Sequence, residues 1–167
     1  MATQLHNTPL DWLRIAAQEA AAGSHDMHTQ NGAILVPRAA AYVCVGVNKV
    51  PAGVWAAPDR LARPAKYEYI EHAERMAIYQ AARVGTPTLG ATLYCPWFAC
   101  MDCARAIIVA GITEVVGHVK PRAATPERWT SSIVKAEAML REANVSMRWL
   151  AEPLGVTIKF DGEEMTL

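Results

Sequence analysis

The chain has 167 residues, and its 16 Lys plus Arg balance 16 Asp plus Glu, so the formal net charge at pH 7 is zero. That length suits one domain with a proper core and is short for two. A neutral balance argues against a surface built for duplex DNA or long RNA, which would call for a basic stripe, but it leaves room for a small phosphorylated ligand held by one or two donors.

Met1 to Pro9 is polar, and no run of roughly 18 apolar residues follows, so neither a secretion signal nor a membrane span is expected. Four cysteines, two of them at metal spacing, suggest the reducing cytoplasm rather than a disulfide framework. The apolar share of 52 % is high for so small a domain, and an oligomer interface would account for part of it.

Pro9 to Ala22 reads as a helix, with Thr8 as N-cap before an N1 proline and Leu10, Leu13, Ala17 and Ala20 on one face. The polar loop Ser24 to Asn31 contains His25 and His28 but no helical period, so they are not read as a metal pair. Asp26 and Thr29 are expected to fix this loop by side-chain to backbone hydrogen bonds. Gly32 to Val36 and Ala41 to Val47 are β-rich runs separated by Pro37-Arg38-Ala39-Ala40, a hairpin-like signal. Asn48, in the turn-rich stretch Gly46 to Gly53, could bind a sugar or serve an Asx turn. Val54 to Lys66 reads as an ordered loop or short helix over the site. Its Arg60, Arg63 and Lys66 could reach a phosphate or stand as solvated charges.

Glu71 to Ala82 is a second helical pattern. It opens on His72-Ala73-Glu74, which is followed by 25 residues and then Cys100-x-x-Cys103. Zinc takes soft thiolates and an imidazole in a tetrahedral site, and three protein ligands leave a fourth position for water. Both cysteines can face one ion from the first turn of a helix, here Ala104 to Gly111, whose positive end favours thiolates. His72, Cys100 and Cys103 are therefore the candidate zinc ligands. Glu74 is the candidate for proton transfer. A redox pair at the two cysteines, or a closed structural site with His118 as fourth ligand, are the competing readings. Cys44 and Cys95, inside apolar runs, read as small buried hydrophobes.

Gly85 to Gly90 is a connector, and strand Ala91 to Cys95 delivers Pro96-Trp97-Phe98-Ala99 onto the first ligand cysteine. Trp97 and Phe98 could wall a flat base or fill the core. After the Cys103 helix, Gly111 is a C-cap and Glu114 to His118 a strand. Pro121 to Pro126 reads as a loop, and Thr125-Pro126-Glu127 as the opening of another helix. Its stripe of Trp129, Ile133, Ala136, Met139, Leu140 and Ala143 is expected in the core or a subunit contact. Val145 to Leu150 and Val156 to Phe160 read as late strands, and Asp161 to Leu167 as a frayed or partner-dependent end. The order α-β-β-α-β-α-β-α-β implies one α/β domain over residues 1–167, a three-layer α/β/α fold with a mixed sheet.

These motifs resemble the cytidine and deoxycytidylate deaminase superfamily, and within it the bacterial and phage deoxycytidylate deaminases. The zinc motif carries the superfamily. Ser24-x-Asp26, Thr29-Gln30-x-Gly32-Ala33, Gly46-x-Asn48-x-x-Pro51-x-Gly53, Lys66-Tyr67, Ile107-Ile108-x-Ala110-Gly111-Ile112 and Pro126-Glu127-Arg128-Trp129 carry the nucleotide branch. The resemblance implies the cytidine deaminase-like fold with five strands, zinc on His72, Cys100 and Cys103, and hydrolysis of dCMP to dUMP and ammonia. It further implies Glu74 as proton shuttle, Asn48 on the sugar, the Ala73 backbone amide on the base carbonyl, and a homo-oligomer, dimer or hexamer. Two positions depart from that pattern. Met76 stands where the group usually carries asparagine, a feature similar to tRNA adenosine deaminases, and Ala99 stands where zinc nucleobase deaminases carry proline. A different amino-heterocycle is therefore the alternative substrate. A structural zinc or ligand-sensing module is the non-enzymatic alternative, against which Glu74 argues.

Overall fold

The computed structural model describes residues 7–39 and 42–167, so Met1 to His6, the turn residue Ala40 and the expected strand start Ala41 lie outside the described residues. The main sheet is built from β1 (Gly32–Val36), β2 (Cys44–Val47), β3 (Thr92–Tyr94), β4 (Glu114–His118) and β5 (Ser146–Leu150), in the spatial order β2-β1-β3-β4-β5. β1 runs antiparallel to β2 and to β3, whereas β3, β4 and β5 are parallel. The antiparallel pair needs only a short connection. Each parallel step is crossed by a helix, α5 (Met101–Val109) and then α7 (Glu127–Glu142).

Alternate strand residues point to opposite faces, and that alternation makes the layers. Ile34, Tyr94 and Val116 bury against Trp12, Leu13 and Ala16 of α1 (Pro9–Gly23) on one face. Ala33, Leu35, Leu93 and Val115 bury on the other against α4 (Ala73–Val84), α5 and α7, through Ala77, Ala81, Ala104, Ile107, Ala136 and Leu140. Alanine on the helix faces lets the helices lie close to the sheet. Two glycines bring them closer. A Cβ on Gly32 would lie 2.1 Å from the carbonyl oxygen of Ala16, and one on Gly46 would lie 2.1 Å from that of Ala73. β2 therefore holds the first turn of α4 at backbone contact.

Local chemistry explains where the elements depart from the sequence reading. Val54 to Lys66 contains α2 (Pro58–Leu61) and ends at the start of α3 (Lys66–Tyr69). The expected loop after β4 holds a short helix, α6 (Val119–Ala123), because the His118 ring accepts the Lys120 N–H and caps it. Thr125 does not cap α7. Pro126 is the N-cap without a side-chain bond, and the Thr125 hydroxyl donates to the Arg122 carbonyl at 2.8 Å. Ala143, expected on the apolar stripe, is exposed.

The C-terminal end is not frayed. β6 (Thr157–Phe160) and β7 (Glu163–Thr166) form an antiparallel hairpin, and Leu167 is buried beyond it. Asp161 and Gly162 both have positive φ, 51° and 96°, the signature of the two-residue turn whose twist matches paired strands. No described helix is long and apolar enough to cross a membrane.

Candidate active site

His72 is the N-cap of α4 and Cys100 the N-cap of α5, while Cys103 lies one turn into α5. Two helix starts thus meet beyond the carboxyl end of β3, the side of a parallel sheet where open α/β folds bind ligands. The His72 Nδ1 lies 3.5 Å from the Cys100 Sγ and 3.5 Å from the Cys103 Sγ. Tetrahedral zinc with ordinary bond lengths separates nitrogen and sulfur ligands by about 3.6 Å. All three donor atoms lie within 4.8 Å of one another, so the trio is positioned to hold a metal ion. His118 is engaged elsewhere, its Nε2 3.2 Å from the Glu152 carbonyl oxygen.

The protons in this trio report the same geometry. The Cys100 thiol is held down to about 3, first by the hydrogen bond from Cys103 and then, against burial, by His72. Cys103, the donor in that bond, is pushed up by it and by burial. Burial works against charge on His72, but the Cys100 sulfur and the Glu74 carboxylate outweigh it and its pKa is raised. A dication between the sulfurs would do the work of the shared proton. Glu74, in the first turn of α4 and 2 % exposed, has its pKa raised by burial, with His72 pulling it back and Cys100 adding to the rise. Such a carboxyl is suited to receive a proton as well as to give one.

An open cleft lies over Glu74 and His72. Asn48 and Trp97 line it, and so does the residue Phe98. Asn48 is 7 % exposed, donates to the Thr29 carbonyl at 2.9 Å, and accepts the Ala73 N–H at 3.0 Å. The Ala73 amide, expected to meet a base carbonyl, is thus held by Asn48, and the two form one unit. Trp97 stands edge-on to Trp129 and Phe160, its indole N–H donating to Thr125 at 3.1 Å. The Phe98 ring does not wall the cleft as a flat face. It is 1 % exposed and stacks on Trp149 at 5.3 Å, over the space left by Gly117.

Of the three basic side chains over the site, Arg60 donates to the Trp55 carbonyl and lies on the Tyr69 ring. Lys66 is buried, its Nζ 2.7 Å from both Asp26 oxygens. Asp26 also accepts the N–H groups of His28 and Thr29, the loop-fixing role read for it from sequence. Arg63 lines the cleft, joined by Arg128 from the first turn of α7.

Sequence reasoning did not assign a site role to Trp129, Arg128 or Arg75. Trp129 belongs to an apolar stripe, yet its ring lies edge-on to the His72 imidazole at 6.1 Å. Arg75 places its Nη1 3.8 Å from the Cys103 sulfur and its Nε 2.6 Å from Glu71, whose carboxylate also accepts the His72 N–H. Burial opposes its charge, but Cys103 and Glu71 hold it protonated. The only sequence signal for Arg75 is its place beside Glu74. Ala99 lines the cleft, whereas Met76 is not among its lining residues.

The family model described as "Cytidine and deoxycytidylate deaminase zinc-binding region" matches residues 7–119. A deoxycytidylate deaminase of Pongo abelii is 34 % identical over 99 residues, 56 % of this chain and 54 % of that enzyme. The chain thus matches about half the length of that relative. An uncharacterized deaminase of Aliivibrio fischeri is 33 % identical over 127 residues, 76 % of this chain and 83 % of that one. The crystal structure of the dCMP deaminase of cyanophage S-TIM5 in complex with dCMP and dUMP shares the fold. Its TM-score is 0.62 at 21 % identity, over 83 % of this chain and 93 % of that one.

Proposed function

The chain belongs to the cytidine and deoxycytidylate deaminase zinc-binding family, and from that premise we propose that it works as one zinc-dependent domain that hydrolyses the amino group of a cytosine nucleotide. The reading is dCMP plus water to dUMP plus ammonia. The observation that carries it is the meeting of the His72, Cys100 and Cys103 donor atoms with a buried carboxyl, Glu74, at the floor of one cleft.

His72, Cys100 and Cys103 would hold the zinc, which would supply the positive charge that makes water a nucleophile near neutral pH. Glu74 takes one proton from the attacking water and passes it to ring N3 as the water oxygen bonds to C4. The remaining proton, from the new C4 hydroxyl, goes through Glu74 to the amine, the C4–N bond breaks as the C4 carbonyl forms, and ammonia leaves a uracil ring. Asn48 already accepts the Ala73 N–H, which leaves that amide no hydrogen for a base carbonyl, but Asn48 keeps a second N–H and a carbonyl lone pair for polar contact with the sugar. Trp97 and Trp129, edge-on to one another, line the cleft that would receive the base. Arg63 and Arg128 supply the positive charge a 5′-phosphate needs at the exposed end of the cleft.

The deoxycytidylate deaminases among the relatives support dCMP, and Ala99 in the cleft wall keeps a different amino-heterocycle as the second reading. Ammonia release by zinc-loaded protein against dCMP, CMP, deoxycytidine, 5-substituted dCMP, dAMP and guanine separates them. Preference for dCMP is expected. Activity on dAMP or guanine alone would replace the pyrimidine reading, and silence across the panel with zinc bound would turn the site into a sensor. Assembly as a homo-oligomer belongs to the same proposal and is checked by light scattering.

A further inference from the structure

Arg63 and Arg128 reach the cleft from distant parts of the chain and close on one carboxylate. The Arg63 Nη2 lies 2.7 Å from the Asp161 Oδ1, and the Arg128 Nη1 lies 3.1 Å from Oδ2, with its second nitrogen on Oδ1. Two guanidinium groups on one anion, Arg128 as a two-nitrogen fork and Arg63 through one nitrogen, make an arrangement suited to a phosphate monoester. Asp161 lies in the hairpin turn, and its carboxyl is held down to about 2, chiefly by Arg128 and then by Arg63. It is therefore an anion throughout the neutral range.

The backbone of that turn is pinned. The Gly162 N–H donates to the His28 carbonyl at 2.8 Å, and Gln30 exchanges hydrogen bonds with Lys159 through its N–H and its side-chain oxygen. Phe160 is 4 % exposed and set edge-on against Trp97 at 5.0 Å. The Asp161 side chain, by contrast, is 34 % exposed and, among the described residues, is held only by the two arginines. Lys66 adds no free charge nearby, because Asp26 neutralises it. The clamp thus carries two positive charges and one negative.

We infer that Asp161 is an internal competitor for the substrate's phosphate: its carboxylate fills the Arg63–Arg128 clamp in the free protein, and a phosphomonoester binds there by displacing it. Asp161 then sets how strongly the site prefers nucleotide over nucleoside. This rests on the nucleotide reading above for its biological meaning, but the clamp itself is tested without turnover.

The variant is Asp161→Asn, which removes the charge while keeping a residue that favours the same turn before glycine. Inorganic phosphate is titrated into zinc-loaded protein and followed by tryptophan fluorescence, since Trp97 and Trp129 line the cleft. In parallel, kcat/KM is measured for dCMP and deoxycytidine. Asp161→Asn is expected to bind phosphate about tenfold tighter, the weight of one charge-assisted contact. The dCMP to deoxycytidine ratio of kcat/KM should rise by a similar factor, carried in KM. Adding Arg128→Gln should abolish both gains. Unchanged, weaker or undetectable phosphate binding in Asp161→Asn would overturn the inference, meaning that Asp161 orients the arginines or that phosphate lies elsewhere. Tighter phosphate with no turnover of any nucleotide would sustain the clamp and remove the proposed activity instead.

Discussion

Glu74 and Arg75 are neighbours in sequence with different surroundings beside the candidate metal trio, the first in the cleft and the second on Cys103 and Glu71. Glu74 is buried in the cleft floor with a raised pKa, and a positioned acid/base group of this kind contributes roughly 10²–10⁴-fold to a rate. Glu74→Gln is expected to keep zinc content and melting temperature while deamination falls by about that factor. Zinc analysis beside an ammonia assay decides it, and wild-type turnover would remove Glu74 from the chemistry. Arg75 bridges the Cys103 sulfur and the Glu71 carboxylate. Arg75→Leu would leave two anions without their shared cation, and loss of such an outer contact weakens metal binding by about 10–100-fold. Competition with a chromogenic chelator measures this, and undiminished affinity would assign Arg75 to surface charge alone. The trio itself was legible because ligand spacing is a local property of helix starts. The role of Arg75 was not, since it depends on a sulfur 28 residues away.

At the scale of elements, the site depends on how closely α4 lies on β2. Gly46 makes this possible, because a Cβ there would meet the Ala73 carbonyl oxygen at 2.1 Å and the Ala77 nitrogen at 2.5 Å. Both are backbone atoms, so the helix, not a rotamer, must give way. Gly46→Ala is therefore expected to lose about 1–3 kcal/mol of stability and to loosen zinc, because His72 caps the displaced helix. Denaturant unfolding with and without zinc tests this, and a variant as stable and as tightly metallated as the parent would refute the packing argument. In the sequence Gly46 reads only as the start of a turn-rich stretch, since the α4 backbone it touches is far along the chain. The hairpin of β6 and β7 is a different case. Asp161-Gly162 between Phe160 and Glu163 is a local turn signal, and reading the segment as a frayed terminus overrode it. Trp129 was hidden by the opposite effect, an apolar period that is real but whose first turn faces the cleft rather than the core.

For the whole molecule, layer order followed from periodicity and connection length, since every parallel strand pair had a helix between its members. The cleft did not follow. Its lining comes from the loop before β1, the segment around α3, the turn after β3 and the start of α7, which only the folded sheet brings together. The candidate metal trio sits at the edge of that cleft and would join the first turn of α4 to that of α5. A ligand that binds only the folded state at about a thousand times its dissociation constant adds about 4 kcal/mol, and in a chain of this size each kcal/mol moves the melting temperature by about 2–4 °C. Stripping zinc with a chelator should therefore lower the melting temperature by about 10 °C, and restoring zinc should recover it. Cys103→Ser should melt near the stripped value and respond little to either treatment. A parent protein indifferent to the chelator, with zinc shown to be removed, would mean that packing alone holds the two helix starts together. The metal would then serve chemistry without serving the fold.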